Sequence, residues 1–253
     1  MTDEGMDRVR RVLAQQLETD RLVGLRDWPV AATVGPRAAS TAPVPDPSCA
    51  VEKQSKLAKL DAEQVKSCTL CELSQRRKNT VFGVGNADAR LVFVGEAPGA
   101  EEDRQGIPFV GPAGQLLTKM ILAMGLRRED VYICNILKCR PPNNRDPAAE
   151  EIAACSPYLM EQLSVIQPEV IVALGAPAAR TLLQTSESIG RLRGRFHDFY
   201  LSGSSLMGQP IPLMPTYHPA YLLRSPGEKA KAWADLQLIM ARMNLPGPGN
   251  AAG

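Results

Sequence analysis

The chain has 253 residues, 44% of them hydrophobic, enough for one sizeable core in a domain of about 200 residues plus extensions. No apolar run approaches the ~20 residues of a membrane span, and the opening MTDEGMDRVRRVLAQQL has no apolar leader core, so a soluble protein of the cytoplasm or nucleoid is expected, with no membrane contact. A net charge of +2 does not announce nucleic acid. Three basic islands, 75–78, 138–145 and 191–195, each read as solvated surface alone and together raise phosphate binding as a hypothesis.

In chain order, residues 1–25 show an amphipathic helical pattern (Val9, Val12, Leu13, Leu17, Leu22). Residues 29–52 are rich in Pro, Ala, Ser and Thr without a period and read as a flexible linker. Residues 1–52 together suggest a tethered arm for a protein partner. The body, 53–243, alternates. Arg90–Val94 reads as a strand, Ala113–Met124 as a helix stopped by Gly125, and Val131–Leu137 as a strand. Asp146-Pro147 offers an N-cap and first-turn proline for a helix through Ile152, Cys155, Leu159 and Leu163, which Pro157 should kink. Glu169–Leu174 is a strand, Pro177–Leu183 a short helix, Ile211–Met214 a strand and Glu228–Met243 a closing helix. The tail, 244–253, is disordered by composition.

This alternation predicts an α/β fold, a single three-layer domain with a central parallel sheet and helices on both faces. In such sheets the ligand crevice lies beyond the carboxyl ends of the strands. Four polar or glycine-rich loops fall there: 95–99, 138–144, Gly175-Ala176 and 216–219, with Asn135 near the end of its strand.

The chain has six cysteines. Cys134, inside a strand, reads as a small core residue and Cys49 as an incidental thiol. Cys68-x2-Cys71 and Cys139-x15-Cys155 remain. Structural disulfides do not suit a leaderless soluble chain, so a four-thiolate site is expected, and spacing alone leaves zinc and an iron–sulfur cluster both open.

The loop after the first strand, GEAPGAEEDRQGIPFVGPAGQLL (95–117), holds five glycines. Gly95 and Gly99 permit a tight turn and a close backbone approach to a ligand. Glu96 and Glu102 are the carboxylates best placed to meet the crevice, whereas Glu101 and Asp103 read as solvated. Phe109 is either core or a platform for a flat ring. Asn135 presents a donor and an acceptor side by side, matching the amide edge of a base, or is satisfied by backbone. His218, aimed by Pro219, is one of two histidines and stands on the active rim. Ala220 to Arg224 suits either a wedge into a base stack or an ordinary helix start.

GEAPG…EED…G-PFVGPAGQLL, N-x3-CRPPNNRDP-x8-C and HPAYLLR, with all four cysteines in order, closely resemble the family 4 uracil-DNA glycosylases, the iron–sulfur branch of their superfamily. The resemblance covers about residues 55–240. It implies a 4Fe–4S cluster on Cys68, Cys71, Cys139 and Cys155. It implies that Phe109 stacks on uracil, that Asn135 hydrogen-bonds its polar edge, and that Glu96, Ala97 and Glu102 line the pocket with His218 near the carbonyl whose charge grows. Leu222, Leu223 and Arg224 would match the loop that enters the duplex, with Arg140 and Arg145 as further DNA contacts. The implied activity is DNA repair: uracil is flipped out of DNA and its N-glycosidic bond hydrolysed, by a protein expected to act as a monomer. Family 1 enzymes carry an aspartate two residues after the motif glycine, where this chain has Ala97, so Asn144, Glu102 and Glu96 become the candidates for positioning water. A related branch that cross-links to its product has a basic insert after the second strand. This chain lacks it, so turnover is expected. The competing expectations are a non-catalytic DNA-binding module on the same fold and a zinc protein with no DNA role.

Overall fold

The structure, a computed structural model, describes residues 47–201 and 209–245. The amphipathic pattern of 1–25 and residues 29–46 of the expected linker lie outside them. The linker boundary needs correction, because α1 (Pro47–Leu60) is helical from Pro47 and buries Leu57 and Leu60 against the body. Asn244 and Leu245 stay with the last helix: the Leu245 N–H donates to the Met240 carbonyl at 2.9 Å.

Among the described residues the sheet has six strands: β1 (Val84–Gly85), β2 (Leu91–Gly95), β3 (Tyr132–Asn135), β4 (Val170–Leu174), β5 (His197–Phe199) and β6 (Ile211–Thr216). Their order is β1-β3-β2-β4-β6-β5. The inner four are parallel, as expected, with Gly95 opposite Asn135 and Leu174 opposite Thr216. The edges β1 and β5 are antiparallel, which the expectation of a parallel sheet did not include. The inner strands are covered on both faces. Val92, Val94, Cys134, Ile171, Ala173 and Leu213 point to one core, while Leu91, Phe93, Ile133, Val170, Val172 and Met214 point to the other. That is the strand period of two read out on two buried faces.

The helices α4 (Ala149–Ile166), α5 (Ala176–Leu183) and α6 (Ile189–Leu192) pack with α1 on the first face. The second face carries α3 (Pro112–Ala123), α7 (Pro219–Arg224) and α8 (Lys229–Arg242). A short α2 (Ala100–Gln105) stands between β2 and α3. Gly125 has φ 75° just past α3, as a helix stop requires. The expected N-cap at Asp146 is corrected: α4 starts at Ala149, and the Glu151 carboxylate accepts from the Ala148 N–H at 2.8 Å. Pro157 lies inside α4 without ending it. No helix among the described residues is long and apolar enough to cross a membrane.

Candidate active site

The carboxyl ends of β2, β3 and β6 bring Gly95, Asn135 and His218 to one rim, and the loop before α3 adds Phe109. A Cβ built on Gly95 would lie 2.7 Å from Phe109 Cζ and 2.9 Å from its Cε2, and closer still to Asn135 Oδ1. Gly95 therefore lets an aromatic ring and an amide press directly onto the end of β2, where no side chain would fit. Its φ is not positive, so close approach rather than a tight turn explains the glycine. Asn135 is 1% exposed, yet its Oδ1 has no hydrogen-bond partner in the protein. A buried amide oxygen left unpaired costs about 1–3 kcal/mol, which a donor N–H brought to it would recover.

Phe109 holds φ 52°, a left-handed conformation that costs a bulky residue about 1–3 kcal/mol. Its turn is clamped from three directions. Glu102 Oε1 accepts from the Val110 and Gly111 N–H groups at 2.9 and 3.0 Å. The Arg128 guanidinium donates to the Pro108 carbonyl at 2.5 Å and to the Thr118 hydroxyl at 3.3 Å. Gly114 lets the first turn of α3 lie directly against the Phe109 carbonyl, where a Cβ would collide. Glu102 Oε1 is thus committed to the turn that holds Phe109. Arg128 carried no sequence signal.

The ring of His218 lies 5.7 Å from that of Phe109, tilted by 33°. Its Nδ1 accepts from the Ala220 N–H at 3.1 Å, so in the neutral ring the proton sits on Nε2. Burial, with Arg224 adding to it and Glu102 opposing, pushes the imidazole pKa down to about 4. A neutral N–H donor therefore persists across physiological pH. At the next residue after Gly95, burial raises the Glu96 carboxyl to about 7, helped by the charge of Asp146. Glu96 Oε1 is also buried without a partner. Ala97 is partly buried and packs on the first core.

Lys138 corrects the reading of 138–145 as a surface island. It is 1% exposed, and its Nζ donates to the Asn135 carbonyl (2.7 Å) and Gln162 Oε1 (2.6 Å), so it braces the strand end that carries Asn135. Asp103 is likewise not solvated: it is buried and accepts from the Lys78 and Asn79 N–H groups, tying α2 to the preceding loop. Asn144 is exposed at φ 53° and accepts from Arg140 Nε at 2.7 Å. Arg145 is engaged in a two-point ion pair with Glu151, at 2.9 and 2.6 Å. The largest correction concerns the wedge. Leu222 is 0% exposed and belongs to the second core, because α7 turns its aliphatic side inward. Leu223 is partly buried against the same core, while Arg224 is exposed.

Cys68, Cys71, Cys139 and Cys155 line one small apolar cavity with Leu70, Leu73, Leu137 and Tyr158. Arg77 Nη1 donates to Cys139 Sγ at 3.2 Å, the Lys138 N–H donates to Cys155 Sγ at 3.2 Å, and Tyr158 is hydrogen-bonded with Cys68. Among the described residues no three His, Cys, Asp or Glu side chains converge closely enough to hold a single ion. A tetrahedral zinc draws its thiolates to within about 2.3 Å of one point, whereas a cluster spreads them around a larger body. Four thiols facing one cavity, with donors already aimed at the sulfurs, suit a thiolate-held metal centre of either kind. Cys134 is buried and Cys49 exposed, both outside this cavity.

A family profile described as "Uracil DNA glycosylase superfamily" matches residues 82–237, from the β1 edge to α8. The chain belongs to this superfamily. It is 50% identical over 173 residues to a protein named "Type-4 uracil-DNA glycosylase" in Thermotoga maritima, covering 68% of this chain and 86% of that one. A protein of the same name in Saccharolobus solfataricus is 48% identical, over 66% of this chain and 77% of its own. Another in Archaeoglobus fulgidus is 45% identical, over 70% and 88%. Gly95, Phe109, Asn135 and His218 all lie inside the span matched to the superfamily.

Proposed function

We propose that this member of the superfamily is a DNA repair hydrolase that excises uracil, leaving an abasic site and the free base. The observation that carries this reading is the Phe109 ring set against the end of β2 beside the buried, unpartnered Asn135 Oδ1. An aromatic face and an orphaned amide oxygen suit a flat imide, whose ring would stack on Phe109 while its N–H meets that oxygen. Extruding the base costs a few kcal/mol, and the prepaid strain at Phe109 spares the pocket from reorganising as the base arrives.

The C1′–N1 bond breaks with its electron pair leaving on uracil. His218 Nε2–H is the fixed donor for the oxygen where that charge collects, and such a donor is worth about 3–4 kcal/mol. Water then adds to the cationic C1′ and gives up a proton. Of the three candidates for placing that water, Glu96 has an unengaged oxygen and a pKa of about 7, suited to a base at neutral pH. Glu102 holds the Phe109 turn and Asn144 holds Arg140.

We also propose that Cys68, Cys71, Cys139 and Cys155 hold a 4Fe–4S cluster. Its part is to fold the 68–77 loop onto β3 and α4. Residues 1–46 are proposed as an arm for a protein partner. Chromatography of the products from an oligonucleotide with one uracil tests the activity. Free uracil in equal amount to abasic sites supports it, while uracil released as a nucleotide, or not at all, counts against it.

A further inference from the structure

The loop that carries His218 also carries an aromatic surface that the uracil pocket does not use. Tyr217 and Tyr221 have ring centroids 5.1 Å apart, tilted by 40°. Tyr217 is anchored. The Arg193 guanidinium lies over its ring, 5.4 Å from the centroid, and its hydroxyl is hydrogen-bonded with Glu228. Arg193 is itself fixed by Asp235, with Nε–Oδ2 at 3.0 Å and Nη2–Oδ1 at 2.6 Å, and by the Lys231 carbonyl. Asp235 is fully buried and also accepts from the Thr216 hydroxyl at 2.7 Å.

Tyr221 is the exposed member, at 37%. Its position is locked to the candidate catalytic histidine: the Tyr221 N–H donates to the His218 carbonyl at 2.9 Å, and the Ala220 N–H to His218 Nδ1. Arg224, exposed one turn further along α7, adds a cation beside it. An aromatic held this rigidly loses little entropy when something stacks on it.

What stacks there follows from the neighbouring pocket. A base lifted out of a strand leaves its neighbour with one bare π-face. A wedge into a paired duplex needs an apolar side chain standing proud of the loop, and Leu222 is at 0% exposure. A flat anchored ring suits an unpaired neighbour instead, since every base has a π-face and stacking tolerates sequence. Resting on the proposed placement of uracil against Phe109, we infer that Tyr221, backed by Tyr217 and Arg193, stacks on the base adjacent to the extruded uracil in single-stranded DNA. The contact makes the unpaired strand a preferred substrate.

The test is a binding cycle that does not depend on turnover. Single-stranded oligonucleotides, and the same strands annealed to a complement, carry 2′-fluoro-2′-deoxyuridine, whose glycosidic bond resists cleavage, with normal flanks or with a tetrahydrofuran abasic residue on the 5′ or the 3′ side. Affinities are read by fluorescence anisotropy for the native chain, Tyr221→Ala and Tyr221→Phe, each checked for an unchanged melting temperature and unchanged affinity for free uracil. The expected result is a loss of roughly 5- to 150-fold for Tyr221→Ala on the normal oligonucleotide. Tyr221→Phe should stay close to native. Removing the base on one flank should weaken native binding similarly, with Tyr221→Ala then adding little. An equal loss for Tyr221→Ala whatever the flanks, no loss at all, or a loss confined to duplex DNA would overturn the inference. Uracil excision plays no part in this readout, so a chain that binds in this way without excising would refute only the proposed activity.

Discussion

Gly95→Ala isolates the pocket from the fold. Gly95 ends a regular parallel strand and its φ is not positive, so the backbone accepts alanine without conformational strain. The added methyl, however, would stand 2.7 Å from Phe109 Cζ and nearer still to Asn135 Oδ1. Ordinary carbon contacts are about 3.5–4.0 Å, so the ring must retreat by roughly 1 Å. It is poorly placed to do so, because Glu102, Arg128 and Gly114 fix its turn. Overpacking of this kind costs about 1–3 kcal/mol of stability, and a 1 Å misplacement in a reacting complex costs on the order of 100-fold in rate. Single-turnover excision with enzyme in excess should therefore fall by at least about 100-fold, while the melting transition stays cooperative. Near-native excision by a folded Gly95→Ala protein would refute the placement of uracil between Phe109 and Asn135.

Further outcomes follow from the same geometry. If Glu102 is a clamp, Glu102→Gln retains most single-turnover activity because its amide oxygen still accepts from Val110 and Gly111, whereas Glu102→Ala loses about 10-fold or more; equal loss in both would restore Glu102 as a base. If the Glu96 carboxylate places the water, the excision rate rises with pH through about 7, and Glu96→Gln flattens that limb in a pH–rate profile. Stability has its own signature. The unfolded chain protonates His218 near 6.5 and the folded chain only near 4. Stability from this group is thus complete above 6.5 and is lost as pH falls toward 4, by about 3 kcal/mol in all. Glu96 acts in the opposite sense, since its folded pKa is raised from 4.5 to about 7. Urea denaturation between pH 4.5 and 6.5 should accordingly show a steeper rise of stability with pH in Glu96→Gln than in the native chain. Lys138→Met should cost about 2–4 kcal/mol, because it leaves the Asn135 carbonyl and Gln162 Oε1 buried without a donor; an unchanged urea midpoint would argue against the brace.

The inner sheet was legible because doubly covered parallel strands read as unbroken apolar runs, as LVFV and VIVAL do. The edges were not: Val84–Gly85 and His197–Phe199 are too short to show a period. α1 was hidden by Pro47 and Ser48 at its start, and α2 by its run of acids. Asn135 and His218 were visible because each stands at the end of a strand that could be placed, and Phe109 because it is set among the glycines of the segment that leaves β2; rim position is what the α/β topology fixes. Burial of charged residues was not visible. Lys138 and Asp103 look like surface in a one-dimensional reading, and only their partners, Gln162 and the 78–79 backbone, make them interior. Leu222 failed in the opposite sense, since a six-residue helix is too short to reveal which side faces the core. Arg128 reaches the Pro108 carbonyl across twenty positions of chain, and no local pattern announces such a clamp.

The most direct test of the central claim is single-turnover incubation with an oligonucleotide carrying one uracil, followed by alkali to reveal abasic sites. Scission at the uracil, absent from a thymine control and reduced roughly 100- to 1,000-fold in Asn135→Ala, is the predicted result. Intact strands, from a folded protein that binds the DNA, would contradict the account and leave a fold kept for binding alone.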